Sequence, residues 1–496
     1  PCVFSAVGIV SLGMGEATPY SDLEYLFLIE NVDHQKFFEK LAVLTYLFIG
    51  ALGETKLSSM AIDELNGDEK QDVEVGWYID GRPYGYQIDG ITSTSNNVPT
   101  RPCSETENGG FISTPEGLLA EYKAVLDRPD PVKALRGDMT SMLMFTRLLY
   151  KVQNGRDDDR EEMKEQLLSK FDQGKRALNQ QKNMKRQNIN LEMLSKDLSK
   201  FDFHPEYDLY SQGFSLNIKT ELYRFPSILL LDLTTVLNEV GEDSWKTIDL
   251  MSRKYGESFA NHIRSLLAFA CFSRLRCYLD MEHHADYFGL AGTDTGLISN
   301  SSDSGNALCY AMSRNQWAMT RFEFFAICRD LLALQLHMHQ CKLGNEICIE
   351  NLLHQEVKVT SLAVTYAHYY CCEWEQVHER MSSEYIPEKD HRGRATLAFA
   401  QYQLPEEKGM LVRARENFER LYNDMSHDKT ADKNLLLSIL RHLTHCYKGD
   451  PGTAKQRFDQ AHELVKRFRN KISRKNKALL KLENGLFLSK LGKAHN

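Results

Sequence analysis

A change of texture near residue 130 constrains this chain more than any other feature. Before it, short apolar runs alternate with glycine-bearing turns: Val7 to Val10, Leu26 to Ile29, Val73 to Ile79 and Tyr84 to Ile91. Each run is shorter than a typical helix and is bounded by turn residues, which predicts strands. Asp80-Gly81-Arg82-Pro83 reads as a hairpin loop between the last two. Between the second and third runs, Gln35 to Gly50 carries Phe37, Phe38, Leu41, Leu44 and Phe48 at helical spacing. Strands interleaved with helices predict an α+β domain, a mixed sheet with flanking helices.

After residue 130 the strand signal fades. Leu216 to Val240, Ser258 to Leu279 and Trp317 to His339 are long, apolar and helical in period. Gly289 to Asn306 is rich in Gly, Ser, Thr and Asp and reads as a linker. A chain of 496 residues is too long for one core. The expected organisation is an α+β domain over residues 1–130, a helical domain over 131–290 and a helical-repeat region over 307–496, mainly α overall.

The final third carries an internal repeat. Trp374-Glu-Gln-Val-His-Glu-Arg-Met381, Ala414-Arg-Glu-Asn-Phe-Glu-Arg-Leu421 and Ala454-Lys-Gln-Arg-Phe-Asp-Gln-Ala461 align without gaps at a spacing of forty residues. A period of this size predicts stacked helical pairs, each unable to bury its apolar face alone. Such arrays bind peptides or protein surfaces on a concave face, although packing alone also explains the pattern.

Charge and cysteine usage narrow the function classes. The formal net charge of -8 argues against a general nucleic-acid binder. The basic stretches Lys175 to Arg186 and Lys466 to Lys477 read as solvated helix faces. No apolar run reaches the length of about 18 residues that a membrane span needs. Eleven cysteines, odd in number and without a CxxC pair, suggest neither a zinc ribbon nor a disulfide framework, so a reducing cytoplasmic location is expected. His337, His339 and Cys341 could group around zinc, as could Met281-Glu-His283-His284-Ala-Asp286 around a metal. The first reads as assorted side chains of one helix. In the second, adjacent histidines on a helix diverge by about 100°, which favours a helix terminus. No Walker-type loop, nucleophile elbow or dinucleotide fingerprint is present.

The segment that carries chemistry is Ser11-Leu-Gly-Met-Gly-Glu16-Ala-Thr-Pro-Tyr-Ser21-Asp22-Leu-Glu24, followed by Tyr25-Leu-Phe-Leu-Ile29. It is a glycine-bearing turn, a polar loop, then two carboxylates one residue apart at the head of an apolar strand. Residues two apart on a strand share a side, so Asp22 and Glu24 can meet one divalent cation. Hard oxygen donors suit Mg²⁺ (or Mn²⁺), which takes one or two carboxylates together with phosphate oxygens. Small residues at Ser11, Gly13, Gly15 and Ser21 let backbone N–H groups approach a triphosphate. Asp89 is the expected third carboxylate of a two-metal cage, and Asp80 is better explained by turn chemistry. Ser21 with Glu24 also matches a helix capping box. The five unbroken apolar residues that follow suit a buried strand better.

The segment resembles the polymerase-β-like nucleotidyltransferase superfamily, in particular the branch of protein-PII uridylyltransferase and related proteins with helical C-terminal regions. Gly13, Gly15, Glu16, Pro19, Ser21, Asp22 and Glu24 carry the resemblance. It continues more weakly through Ile112 to Glu116, Glu221 to Pro226 and Ser273 to Tyr278. The Ala-x-x-x-Phe of Ala414/Phe418 and Ala454/Phe458 resembles a tetratricopeptide repeat, although the forty-residue unit is longer. The resemblance implies transfer of a nucleoside monophosphate from an NTP to a hydroxyl, with a protein as acceptor. Asp22, Glu24 and Asp89 would be catalytic and hold the metal, and Ser11, Gly13, Gly15 and Ser21 would bind the nucleotide. The sequence departs from the branch at Val10 (Gly in the branch), Met14 (Arg) and Glu24 (Asp). Two alternatives therefore stay open. One is a degenerate fold serving as an interaction scaffold through its helical repeats. The other is a transferase acting on a nucleotide, small molecule or RNA end.

Overall fold

A computed structural model describes residues 3–17, 25–38, 40–41, 75–79, 82–88, 112–128, 130–132, 147–148, 158–180, 184–201, 215–239, 241–281, 287–290, 318–319, 321–339, 346–371, 373–383, 390–404, 409–447, 449–472, 476–477 and 480–481. The described residues are mainly helical, with short strands gathered into small sheets.

The N-terminal sheet has four strands: β1 (Phe4–Gly8), β2 (Tyr25–Ile29), β5 (Ile112–Ser113) and β6 (Arg147–Leu148), in the order β5-β2-β1-β6. β1 runs antiparallel to β2 and β6, whereas β5 is parallel to β2, so the sheet is mixed. All five residues of β2 are buried because both its faces are covered. Leu26 and Leu28, with Val7 and Ile9, meet Tyr122 of α2 (Pro115–Leu126) and Phe171 of α3 (Asp158–Gln180). Tyr25, Phe27 and Ile29 turn the other way, onto Phe38 and Ile112. β3 (Val75–Ile79) and β4 (Arg82–Ile88) form the expected antiparallel hairpin.

Packing contacts cross residues 130 and 290. β6 joins the N-terminal sheet, and Leu167 and Phe171 of α3 pack on it, so this unit continues past residue 130. α4 (Met184–Lys200) serves two cores: Ile189 and Met193 face the sheet unit, while Leu194 and Leu198 enter the next cluster. That second cluster runs from Leu194 to Cys371 without dividing near 290. It contains α5 (Arg224–Leu237), α6 (Ser244–Tyr255), α7 (Glu257–Met281) and α8 (Arg321–His339). α5 is its centre, with Leu229, Leu230 and Leu233 buried. The strand signal does not end at 130 either. β7 (Ser215–Asn217), β8 (Tyr287–Leu290) and β9 (Ala318–Met319) form a second small mixed sheet. Gly289 and Leu290 of the expected linker lie in β8, and 291–306 lies outside the described residues.

Beyond the short α9 (Glu346–Leu353) and α10 (Ser361–Tyr370), each helix packs against the next in sequence. These helices are α11 (Trp374–Ser383), α12 (His391–Gln403), α13 (Met410–Ser426), α14 (Lys433–Cys446) and α15 (Pro451–Arg467). The three aligned segments fall on α11, α13 and α15. Ala414, Phe418 and Leu421 of α13 are buried at the positions that Ala454, Phe458 and Ala461 occupy in α15. Aspartates cap α12 and α14: Asp390 accepts from the Gly393 N–H and Asp432 from the Asn434 and Leu435 N–H groups. Arg392 of α12 reaches Asp432 at 3.0 Å, tying α12 to the cap of α14.

Candidate functional site

Of the residues expected to form a site, Asp22, Glu24, Asp89 and Ser21 lie outside the described residues. Ser11, Gly13 and Gly15 lie together on one corner. β1 ends at Gly8, and Ile9 caps a single helical turn, α1 (Val10–Met14). Val10 therefore opens a helix and does not end a strand. Leu12 and Gly13 both donate their N–H to the Ile9 carbonyl, at 3.1 and 3.2 Å. Gly15 closes the turn at φ 71°, the left-handed region where a side chain is strained. The Glu16 N–H then donates back to the Ser11 carbonyl at 2.9 Å. The β1–β2 register pairs Gly8 with Tyr25, so the exit of β1 into this corner lies beside the first residue of β2. Asp22 and Glu24 immediately precede that residue in sequence. Tyr25–Ile29 is strand.

The corner is held by the helical region. Trp245 Nε1 donates to the Gly15 carbonyl at 3.0 Å, and a β-carbon on Gly15 would come within 3.2 Å of the Asp243 side chain. Met14 is buried against Leu231 of α5. Glu16 is only 2% exposed, and its carboxylate accepts three hydroxyl hydrogen bonds. Oε2 takes Tyr223 Oη at 2.6 Å and Ser227 Oγ at 2.9 Å, and Oε1 takes Ser244 Oγ. Tyr223 ends a π-helical turn (Ile218–Tyr223) leading into α5, Ser227 lies one turn on, and Ser244 opens α6 beside its Asp243 cap.

Burial governs the electrostatics. Loss of water raises the Glu16 pKa above 4.5, while the three hydroxyls and the Arg274 charge act against it. Burial and the Glu16 carboxylate push Tyr223 well above its usual 10 and Cys271 up to about 12. The Arg274 guanidinium lies 4.7 Å from the centroid of the Tyr223 ring, a cation–π contact inside the same cluster. With its oxygens occupied and almost no exposure, Glu16 is a structural tie between the corner and the helices, not a base open to a substrate.

Sequence reasoning placed Glu16 in a motif but gave it no role, and it missed the partners. Their sequence separations of 207, 211 and 228 residues leave no local trace. One signal was available: the weakly resembling segments 221–226 and 273–278 contain Tyr223 and Arg274.

The remaining candidates read simply. His337 is buried, with Nε2 3.1 Å from the Leu352 carbonyl, as a core histidine should be. Cys341, His283, His284 and Asp286 lie outside the described residues, as does Asp80. Lys175 is not on a solvated face: it is 5% exposed, bonded to Asp172 at 2.7 Å, and lies over the Phe171 ring. Among the described residues, no three His, Cys, Asp or Glu side chains converge as metal ligands. The expected set of Asp22, Glu24 and Asp89 consists of the hard carboxylate donors that Mg²⁺ takes, so the residue types fit the ion. No helix among the described residues is long and apolar enough to cross a membrane. No family model matches the chain, and no curated protein matches it in sequence.

Proposed function

We propose that this chain is a nucleotidyltransferase that moves a nucleoside monophosphate from an NTP to a hydroxyl on a protein, in a reducing cytoplasm. The observation that carries this reading is the β1–α1–β2 corner. A strand ends in a helical turn that carries Ser11 and Gly13, and a fully buried antiparallel strand starts beside it, directly after Asp22-Leu-Glu24. That arrangement supports a phosphate-facing turn next to a pair of carboxylates. Asp22, Glu24 and Asp89 would hold Mg²⁺ or Mn²⁺, which neutralises phosphate charge and acidifies an attacking hydroxyl. The chain's own part is to orient. Ser11 and Gly13 would meet the phosphates, and the buried β2 would fix the direction of the acids that precede it. The corresponding buried positions of α13 and α15 support a tetratricopeptide-like array that presents a surface to the protein acceptor.

One observation favours the scaffold reading instead. Gly15, expected to face the nucleotide, gives its carbonyl to Trp245 and its Cα surface to Asp243. Labelling separates the two. Wild type and Asp22→Ala/Glu24→Ala would each be incubated in cell lysate with each α-labelled NTP and Mg²⁺ or Mn²⁺. The transferase moves label to a protein band with wild type alone; a scaffold moves none with either.

A further inference from the structure

We propose that Glu16 is a positioning residue: through Tyr223, Ser227 and Ser244, the helical region holds the Ser11–Glu16 corner in its working shape. This rests on the nucleotidyltransferase reading, because the corner matters only if nucleotide binds there.

Three observations converge. Two helices and the turn before one of them reach this short corner: Tyr223 ends the π-helical turn leading into α5, Ser227 lies on α5, and Ser244 and Trp245 lie on α6. Their targets are consecutive, the Gly15 carbonyl and the Glu16 carboxylate, so both the position and the direction of the backbone are fixed there. The turn is also closed internally by the Glu16 N–H to Ser11 carbonyl bond, so a displacement of Glu16 passes to Ser11 through one hydrogen bond. A buried carboxylate is a costly way to join two packed units, and an apolar side chain would do it more cheaply. What the carboxylate adds is direction: three donors can be satisfied in only one orientation.

The consequence is coupling. α5 and α6 belong to the cluster that also contains α7 and α8, so the corner reports on the packing of the helical region. Coupling is reciprocal: nucleotide at the corner should stabilise the α5–α6 contact, and loosening that contact should weaken nucleotide binding.

The test uses the full chain and four variants, the mild Tyr223→Phe, Ser244→Ala and Glu16→Gln and the more severe Glu16→Ala. Each is followed by amide exchange over residues 9–17, by melting temperature, and by KM and kcat for the productive Mg-NTP. The expected result is faster exchange over 9–17 and a rise in KM of about ten-fold, equivalent to about 1.4 kcal/mol, with kcat changed much less. Glu16→Gln keeps a carbonyl oxygen for the hydroxyls and should lie closer to wild type than Glu16→Ala. Should Glu16→Ala fail to fold, the two hydroxyl variants still decide. A KM unchanged in Tyr223→Phe and Ser244→Ala, whatever their exchange or melting temperature, overturns the proposal and leaves Glu16 a purely structural tie. A wild-type chain that neither binds nor transfers any NTP overturns the underlying function, and is recognised without any variant.

Discussion

Glu16 and His442 are two buried ionisable groups that respond to pH in opposite directions. For Glu16, burial raises the folded pKa above the unfolded value near 4.5. The folded chain then holds this proton more tightly, so Glu16 favours folding below pH 4.5, and that contribution is lost as pH rises through its folded pKa. Glu16→Gln does not titrate. Its melting temperature should therefore improve relative to wild type as pH is raised from 4.5 to 8; a constant difference would contradict the assignment. His442 is fully buried among Phe399, Tyr402 and Phe418, and burial lowers its pKa from 6.5 to about 3. Its folded form binds the proton less well, so its contribution is present above pH 6.5 and is lost as pH falls toward 3. His442→Phe should flatten that acid limb, which for one such group approaches about 1.4 kcal/mol per pH unit. Urea titrations at pH 7, 5 and 4 would read it, and parallel loss in both proteins would refute it.

At the scale of elements, periodicity decided what could be read in advance. β2 was legible because five unbroken apolar residues suit a buried strand better than an amphipathic helix, and Leu26/Leu28 and Tyr25/Phe27/Ile29 divide between two cores accordingly. α13 and α15 were legible because Ala414/Phe418/Leu421 and Ala454/Phe458/Ala461 repeat at helical spacing on one buried stripe. The end of β1 was not. Ile9 and Val10 look like strand, and the turn forms because Leu12 and Gly13 bond back to Ile9 and Gly15 closes it at positive φ. β6, β7 and β9 are two or three residues long, too short to show a period. Lys175 looked solvated because its charge was visible in the sequence and its packing on Phe171 was not. Two substitutions test these elements. Phe418→Ala empties a buried ring position in α13 and should cost about 3–5 kcal/mol by denaturant titration. Gly15→Ala adds a β-carbon at φ 71°, 3.2 Å from Asp243, and should cost about 1–2 kcal/mol or more. Loss of under half a kcal/mol in either would contradict the packing described.

For the whole molecule, cores rather than composition define the units. The polar stretch after residue 289 suggested a boundary, yet helices on both sides of it share the cluster from Leu194 to Cys371. α4 belongs to two clusters at once, and Glu16 links the N-terminal corner to α5 and α6. The function proposed for the corner was legible only through Asp22-Leu-Glu24 and the glycine turn, because short-range chemistry leaves a motif; the grip that positions it comes from residues more than 200 positions away. The most direct test of that function is equilibrium binding of each NTP to the full chain with and without Mg²⁺, for wild type and for Asp22→Asn/Glu24→Gln. The expected result is metal-dependent binding of at least one NTP by wild type, lost in the double variant at unchanged melting temperature. Binding that is absent in wild type, or that survives both substitutions, would contradict it.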